Sequence, residues 1–127
     1  MIVLDADFIV AFFRKEDENN IMAVKLMEEI EQDAILSIIT LSEVITIIKS
    51  RDGSKRAAQV WEIIKNADIE ILEVIGLLGQ IYYFIEKYDS LSFGDASSVA
   101  IMKQRNISKI ISFDSDFDLI PGIQRIY

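Results

Sequence analysis

The sequence has no histidine and no cysteine among its 127 residues. Without histidine, Ser-His-Asp and Cys-His catalysis are excluded, because both need an imidazole as the base. Without cysteine, disulfides and thiolate metal sites are excluded, which fits a cytosolic protein. The usual zinc sites need one or both of these residues and are excluded as well. Acidic side chains therefore remain the main candidates for any chemistry.

Long apolar runs and an excess of basic charge are also missing. No segment reaches the ~18 uninterrupted apolar residues of a membrane span, and no basic stretch precedes the N-terminal apolar run as in a signal peptide. We therefore expect a cytoplasmic protein without a membrane partner. The net charge of −8 argues against tight, sequence-independent DNA binding. A nucleic-acid enzyme is still compatible with this charge, because a dense carboxylate site would contribute much of it.

Short apolar runs alternate with amphipathic segments along the chain. The length and the 51% apolar content predict one domain over residues 1–127 with a real core. Strands are predicted at residues 2–5, 34–39, 68–72, 109–113 and 123–127. Helices are predicted between them, with one opening at Thr40 and others capped by Ser54 and Ser92. This order predicts an α/β fold, a three-layer α/β/α sandwich around a central, mostly parallel sheet of four to five strands.

Several acidic residues stand where an apolar run stops or a helix begins. In a parallel sheet the carboxyl ends of the strands share one edge, so acids at these positions converge from distant parts of the sequence. Clustered carboxylates repel one another and raise their pKa values unless a divalent cation removes the repulsion. The candidates for such a cluster are Asp5, Glu43, Asp95 and the group Asp114, Asp116 and Asp118.

Some of these acids also have a purely structural explanation. Glu43 follows Thr40 at the spacing of a capping box, and Asp95 follows Ser92 in the same way. Acids in a first helical turn also gain from the helix dipole. Asp5 is harder to explain by structure, because it follows four apolar residues and a buried carboxylate needs a partner or a metal.

The acids fall within four short motifs that occur together in this chain. Their sequences are IVLDADFIV at residues 2–10, TLSEV at 40–44, FGDA at 93–96 and SFDSDF at 112–117, followed by IPGI at 120–123. In their order and spacing, these motifs resemble the PIN-domain family, and within it the VapC-type toxins of toxin–antitoxin pairs. Each motif is weak alone, but the resemblance runs from Ile2 to the C-terminus.

The resemblance implies an endoribonuclease that depends on Mg²⁺ or Mn²⁺ and hydrolyses RNA phosphodiester bonds with metal-activated water. It also implies a homodimer that a small cognate antitoxin holds inactive. Carried over by position, the catalytic and metal-binding carboxylates are Asp5, Glu43, Asp95 and Asp114, with Asp116 in support. The chain departs from the pattern at Asp7, where many relatives carry Ser or Thr.

Basic residues cluster around the turn that follows the Glu43 helix. We expect RNA to meet this patch, although a solvated surface turn explains it equally well. The patch consists of Lys49, Arg51, Lys55 and Arg56.

Two other functions remain open from the sequence. In a HAD-type phosphatase, Asp5 would be the nucleophile and Asp7 the acid–base of an Asp-x-Asp motif. That family expects Thr or Val where this chain has Ile9. Alternatively, a PIN-like domain with a degraded site would only bind RNA or a protein.

Overall fold

The computed structural model describes residues 1–127 and contains five strands and six α-helices. The strands are β1 (Ile2–Leu4), β2 (Ala34–Ser37), β3 (Ile69–Leu72), β4 (Lys109–Ile111) and β5 (Gln124–Ile126). The helices are α1 (Ala6–Phe13), α2 (Asn20–Glu28), α3 (Ile38–Asp52), α4 (Ser54–Asn66), α5 (Leu78–Lys87) and α6 (Phe93–Arg105). Short 3₁₀ turns lie at Ile75–Leu77 and Ser115–Leu119. None of the helices is long and apolar enough to cross a membrane.

All five strands are parallel, in the order β3-β2-β1-β4-β5. In register, Val3 of β1 lies between Ile35 of β2 and Ile110 of β4. The chain first adds strands on one side of β1 and then crosses over to place β4 on the other side. This reversal opens a crevice beyond the carboxyl ends of β1 and β4, where open α/β sheets bind their ligands.

Alternate residues of the central strands face opposite sides of the sheet, as the pleat requires. Leu4, Leu36 and Ile111 join one apolar core with α1 to α4, while Val3 and Ile35 join the second core with α5 and α6. Both faces of the sheet are therefore covered by helices. The structure confirms the predicted three-layer α/β/α architecture.

The boundary between β2 and α3 differs from the sequence prediction. Strand β2 ends at Ser37, whose Oγ accepts a hydrogen bond of 3.0 Å from the Thr40 amide and so caps α3. The helix begins at Ile38, and the capping box predicted from Thr40 to Glu43 does not form. Ser54 does not cap α4 either, because the N-cap position is occupied by Gly53 with a positive φ of 92°.

Candidate active site

The sequence-predicted acids gather at the carboxyl edge of the sheet. Asp5 directly follows β1, and Asp114 lies in the loop that follows β4. Glu43 lies in α3, which begins directly after β2, and Asp95 lies in the first turn of α6. The acids therefore surround the crevice at the reversal of strand order, which is where this fold class places ligand sites.

Asp5 is the most buried carboxylate of the group, with an exposed fraction of 5%. It occupies the N-cap position of α1, yet its side chain makes no capping hydrogen bond. Instead, Ser112 Oγ donates to Asp5 Oδ2 at 2.7 Å. Burial raises the pKa of Asp5 well above its usual range, and the Asp7 charge adds to this, while the Ser112 hydrogen bond opposes it. Helix capping does not explain Asp5.

Asp7 connects the start of α1 to the end of β4. The Phe113 amide donates to its carboxylate, at 3.1 Å to Oδ2 and 3.3 Å to Oδ1. Burial raises the pKa of Asp7, and the hydrogen bond from Phe113 partly offsets that rise. The departure from the family pattern therefore places a carboxylate where it holds the loop leading to Asp114.

Glu43 and Asp95 face each other from α3 and α6. Glu43 packs against Gly94, and a Cβ at Gly94 would lie only 2.8 Å from Glu43 Cδ, so a larger residue would displace this carboxylate. Burial raises the pKa of Glu43, and the Asp95 charge raises it further. The absence of a side chain at residue 94 thus leaves the space that the Glu43 carboxylate fills.

Asp95 forms the capping box that the sequence predicts. The Ser92 amide donates to Asp95 Oδ2 at 3.0 Å, and the Asp95 amide donates to Ser92 Oγ at 3.1 Å. Burial nevertheless raises the pKa of Asp95, and the charges of Asp114 and Asp7 contribute, while the Ser92 hydrogen bonds oppose the rise. Capping therefore coexists with an unfavourable acidic environment and accounts for only one carboxylate oxygen.

Asp114 and Asp116 play unequal parts in the loop after β4. Asp114 Oδ1 accepts a hydrogen bond of 2.9 Å from the Asp116 amide and caps the following 3₁₀ turn. Asp116 therefore orders Asp114 through its backbone. Asp118, two residues further on, pairs with Arg125 at 2.9 Å and does not join the cluster.

Ser112 is a site residue that the sequence reasoning did not single out. Its side chain is fully buried, donates to Asp5 and accepts a 3.0 Å hydrogen bond from the Asp114 amide. It thereby links Asp5, which follows β1, to Asp114, which lies in the loop after β4. The available signal was a hydroxyl residue directly after the apolar run of β4, as the first residue of the motif that contains Asp114.

The acids of the site have no basic partner. The ion pairs of the protein are Arg14–Asp52, Lys65–Glu62, Arg105–Glu70 and Arg125–Asp118, and none includes a site carboxylate. No three acidic side chains stand close enough to form a complete cation cage by themselves. Oxygen donors of this kind fit Mg²⁺, which usually binds one or two carboxylates and keeps several waters. The donor set therefore fits a hydrated hard cation.

A cavity of about 630 Å³ adjoins the site between α1 and α3. Asp7 and Phe113 line it at the acidic end, and Arg51 is the one member of the predicted basic patch that reaches it. Arg56 donates instead to the Phe13 carbonyl at 3.1 Å. Lys49 and Lys55 are exposed outside this cavity. The structure thus separates Arg51 from the other three residues of the patch.

The PIN-domain family model matches residues 2–123, and the chain therefore belongs to the PIN-domain family. Within the family, its curated relatives include ribonuclease VapC13 of Mycobacterium tuberculosis and a VapC ribonuclease of Mycobacterium bovis. Each is 42% identical over 40 residues, which cover 32% of this chain and only 30% of the relative.

Solved structures share the fold over nearly the whole chain. The crystal structure of Mycobacterium tuberculosis VapC20, described as a sarcin–ricin loop cleaving toxin, has a TM-score of 0.86 and 25% identity, with 93% of each chain covered. FitAcB from Neisseria gonorrhoeae has a TM-score of 0.75 and 20% identity, with 100% of this chain and 97% of that chain covered, and supports the fold alone. The recognised resemblance to VapC-type toxins is confirmed.

Proposed function

We propose that residues 1–127 act as one PIN-like domain and as a divalent-metal-dependent endoribonuclease, the toxin of a toxin–antitoxin pair. The observation that carries this proposal is the buried Asp5 carboxylate, which has acidic neighbours and no basic partner. Such a charge is costly unless a cation compensates it. The VapC ribonucleases that match part of the chain support the reaction type.

Asp5, Glu43, Asp95 and Asp114 would hold Mg²⁺ or Mn²⁺ directly or through water. Such an ion supplies an acidified water and offsets negative charge on a phosphoryl group. Ser112 keeps the Asp5 carboxylate oriented through its 2.7 Å hydrogen bond. Asp7 holds the loop that leads to Asp114 through the Phe113 amide. The chain thereby organises its oxygen donors for hydrolysis without an imidazole base.

The proposed partners are RNA, a small cognate antitoxin and a second copy of the chain. For RNA, Arg51 is the favoured basic contact, because it lies in the cavity that begins at Asp7 and belongs to no ion pair. Arg14 in the same cavity is already held by Asp52 at 2.8 Å. Arg51 is therefore the arginine of this cavity that is available to bind a phosphate of the RNA strand.

The two alternative functions are less well supported. A HAD-type phosphatase would need Asp7 as a mobile acid–base, whereas this carboxylate holds the Phe113 amide and the chain belongs to a different family. A site that only binds RNA or protein would not need a buried, unpaired Asp5. Hydrolysis with Asp5 as a metal ligand agrees better with both features.

The test is incubation of the purified chain with a mixed RNA pool, with Mg²⁺ or with EDTA. We expect internal cuts with Mg²⁺, no cuts with EDTA, and no cuts by Asp5→Asn purified in the same way, which controls for contaminating ribonucleases. Asp118→Asn removes an acid outside the cluster and should cut like the wild type. Hydrolysis of a phosphate monoester without RNA cleavage would contradict the proposal and favour the phosphatase.

A further inference from the structure

Four fully buried hydroxyl side chains are hydrogen-bonded in a row between β2, α3 and α6 and are called the hydroxyl network below. Ser37 Oγ lies 3.0 Å from Thr40 Oγ1 and 2.8 Å from Ser97 Oγ. Thr40 Oγ1 lies 3.4 Å from Ser98 Oγ, a longer contact. At the other end, Ser97 Oγ donates to the Gly94 carbonyl at 2.6 Å. Residues about 60 positions apart in sequence are thus joined inside the core.

The donor and acceptor roles in the hydroxyl network can be assigned in only one order, because each hydroxyl has a single proton. A carbonyl only accepts, so the Ser97 proton is used on Gly94 and Ser97 must accept from Ser37. Ser37 has then used its proton and accepts from Thr40, which in turn accepts from Ser98. The order is therefore Ser98, Thr40, Ser37, Ser97 and the Gly94 carbonyl.

Gly94, whose carbonyl is the last acceptor of the hydroxyl network, adjoins two acidic residues of the proposed site. Gly94 directly precedes Asp95, and the Glu43 carboxylate packs against Gly94 where a Cβ would be. A serine in a helix often bonds to a carbonyl of the preceding turn, so the Ser97–Gly94 contact alone is ordinary. The Ser37–Ser97 contact is not local, and it fixes the first turn of α6 to the N-cap of α3.

We propose that Ser97 is a positioning residue, whose hydroxyl ties the first turn of α6 to Ser37 and so sets the separation of the Asp95 and Glu43 carboxylates. The proposal rests on the cation site of the proposed function. Ser97 does not itself touch the cation or the substrate. Its loss lets α6 shift against α3, and the two carboxylates no longer meet a cation together.

The experiment compares Ser97→Ala with Ser98→Ala by calorimetric titration of Mn²⁺ into the full chain. Both variants lose one buried hydroxyl from neighbouring positions of the same helix, and alanine favours the helix. Ser97→Ala is expected to weaken Mn²⁺ binding about 10- to 100-fold, as with other groups that orient metal ligands. Ser98 lies at the end of the hydroxyl network that is farther from Gly94, and its contact with Thr40 is long at 3.4 Å. Ser98→Ala is therefore expected to bind Mn²⁺ like the wild type. Ser97→Thr keeps the hydroxyl and should recover most of the affinity.

The outcomes separate this proposal from the proposed function. Wild-type Mn²⁺ affinity in Ser97→Ala, or an equal loss in both alanine variants, would overturn the positioning role and leave the nuclease proposal intact. The expected Mn²⁺ result without any RNA cleavage by the wild type would support positioning and count against the nuclease. A wild type that binds no Mn²⁺ would overturn both.

Discussion

The acidic residues of this protein fall into two groups with opposite electrostatic environments. On the surface, Asp52 and Asp118 each face an arginine, whose hydrogen bonds lower the pKa of the carboxyl. At the carboxyl edge of the sheet, burial and neighbouring acids raise the pKa values of Asp5, Asp7, Glu43 and Asp95. The first group is compensated by the protein itself. The second group is left uncompensated, which is the arrangement expected where a cation from outside the chain completes the structure.

The largest expected effect comes from neutralising one member of each group. Asp5→Asn should reduce RNA cleavage by more than about 100-fold, since even the loss of a group that merely orients a metal ligand costs about 10- to 100-fold. Asp118→Asn should leave kcat/KM within about twofold of the wild type, because surface ion pairs contribute little. Both are measured as initial cleavage rates at saturating Mg²⁺. Equal losses would mean that the two groups do not differ in function.

Asp7 tests whether an acid of the uncompensated group acts through its charge or through its hydrogen bond. Asp7→Asn keeps an oxygen acceptor for the Phe113 amide, whereas Asp7→Ala removes it. Cleavage should fall about 10- to 100-fold in Asp7→Ala and only a few-fold in Asp7→Asn. A loss in Asp7→Asn as large as that in Asp5→Asn would show instead that the Asp7 charge is needed.

The pH dependence of stability gives a third comparison between the groups. The pKa of Asp5 is raised in the folded protein. Its favourable contribution to the free energy of unfolding is therefore complete below the unfolded-state pKa and is lost as pH rises through the folded-state pKa. Without metal, Asp5→Asn should therefore be more stable than the wild type near neutral pH, and the two should converge toward about pH 4.

This pH prediction is measured as urea midpoints in the presence of EDTA. Asp118→Asn is the control with the opposite sign, because its pKa is lowered by Arg125 and its contribution is lost as pH falls. It should be slightly less stable than the wild type near neutral pH. A gap between Asp5→Asn and the wild type that stays constant with pH would contradict a raised pKa for Asp5.

The smallest expected effect concerns the basic residue nearest the acidic group. Arg51→Glu should raise KM for RNA several-fold and lower the salt slope of binding by about one unit, with kcat little changed. Lys55→Glu makes the same change of charge outside the cavity that Asp7 lines, and should have a weaker effect. The measurement is cleavage at several salt concentrations, and equal effects of both variants would remove Arg51 from the RNA path.

The sequence was sufficient to predict which acids come together, because strand ends can be read from apolar runs. Asp5 and Asp114 follow such runs, and parallel pairing brings the ends of β1 and β4 to one edge. The three-layer fold followed from the same alternation of runs. The capping box of Ser92 and Asp95 was also readable, since it depends only on local spacing.

Contacts that depend on tertiary approach could not be read in this way. Ser37, rather than Thr40, caps α3. The sequence does not distinguish the two, because several hydroxyl residues lie near the end of β2 and local spacing fits more than one of them. The hydrogen bonds from Ser112 to Asp5 and from Phe113 to Asp7 join residues more than 100 positions apart. The separation of Arg51 from Lys55 likewise depends on the direction of each side chain from neighbouring helices.

The central claim is that the uncompensated acids are held in place for a divalent cation. Its most direct test is thermal unfolding of the wild type, Asp5→Asn and Asp118→Asn. Each is measured with EDTA and with Mn²⁺ at about 100 times the dissociation constant of Mn²⁺ for the wild type. At that concentration Mn²⁺ should stabilise the wild type and Asp118→Asn by about 2.7 kcal/mol and leave Asp5→Asn unchanged. Unfolding midpoints that are the same with Mn²⁺ and with EDTA in all three proteins would contradict the claim.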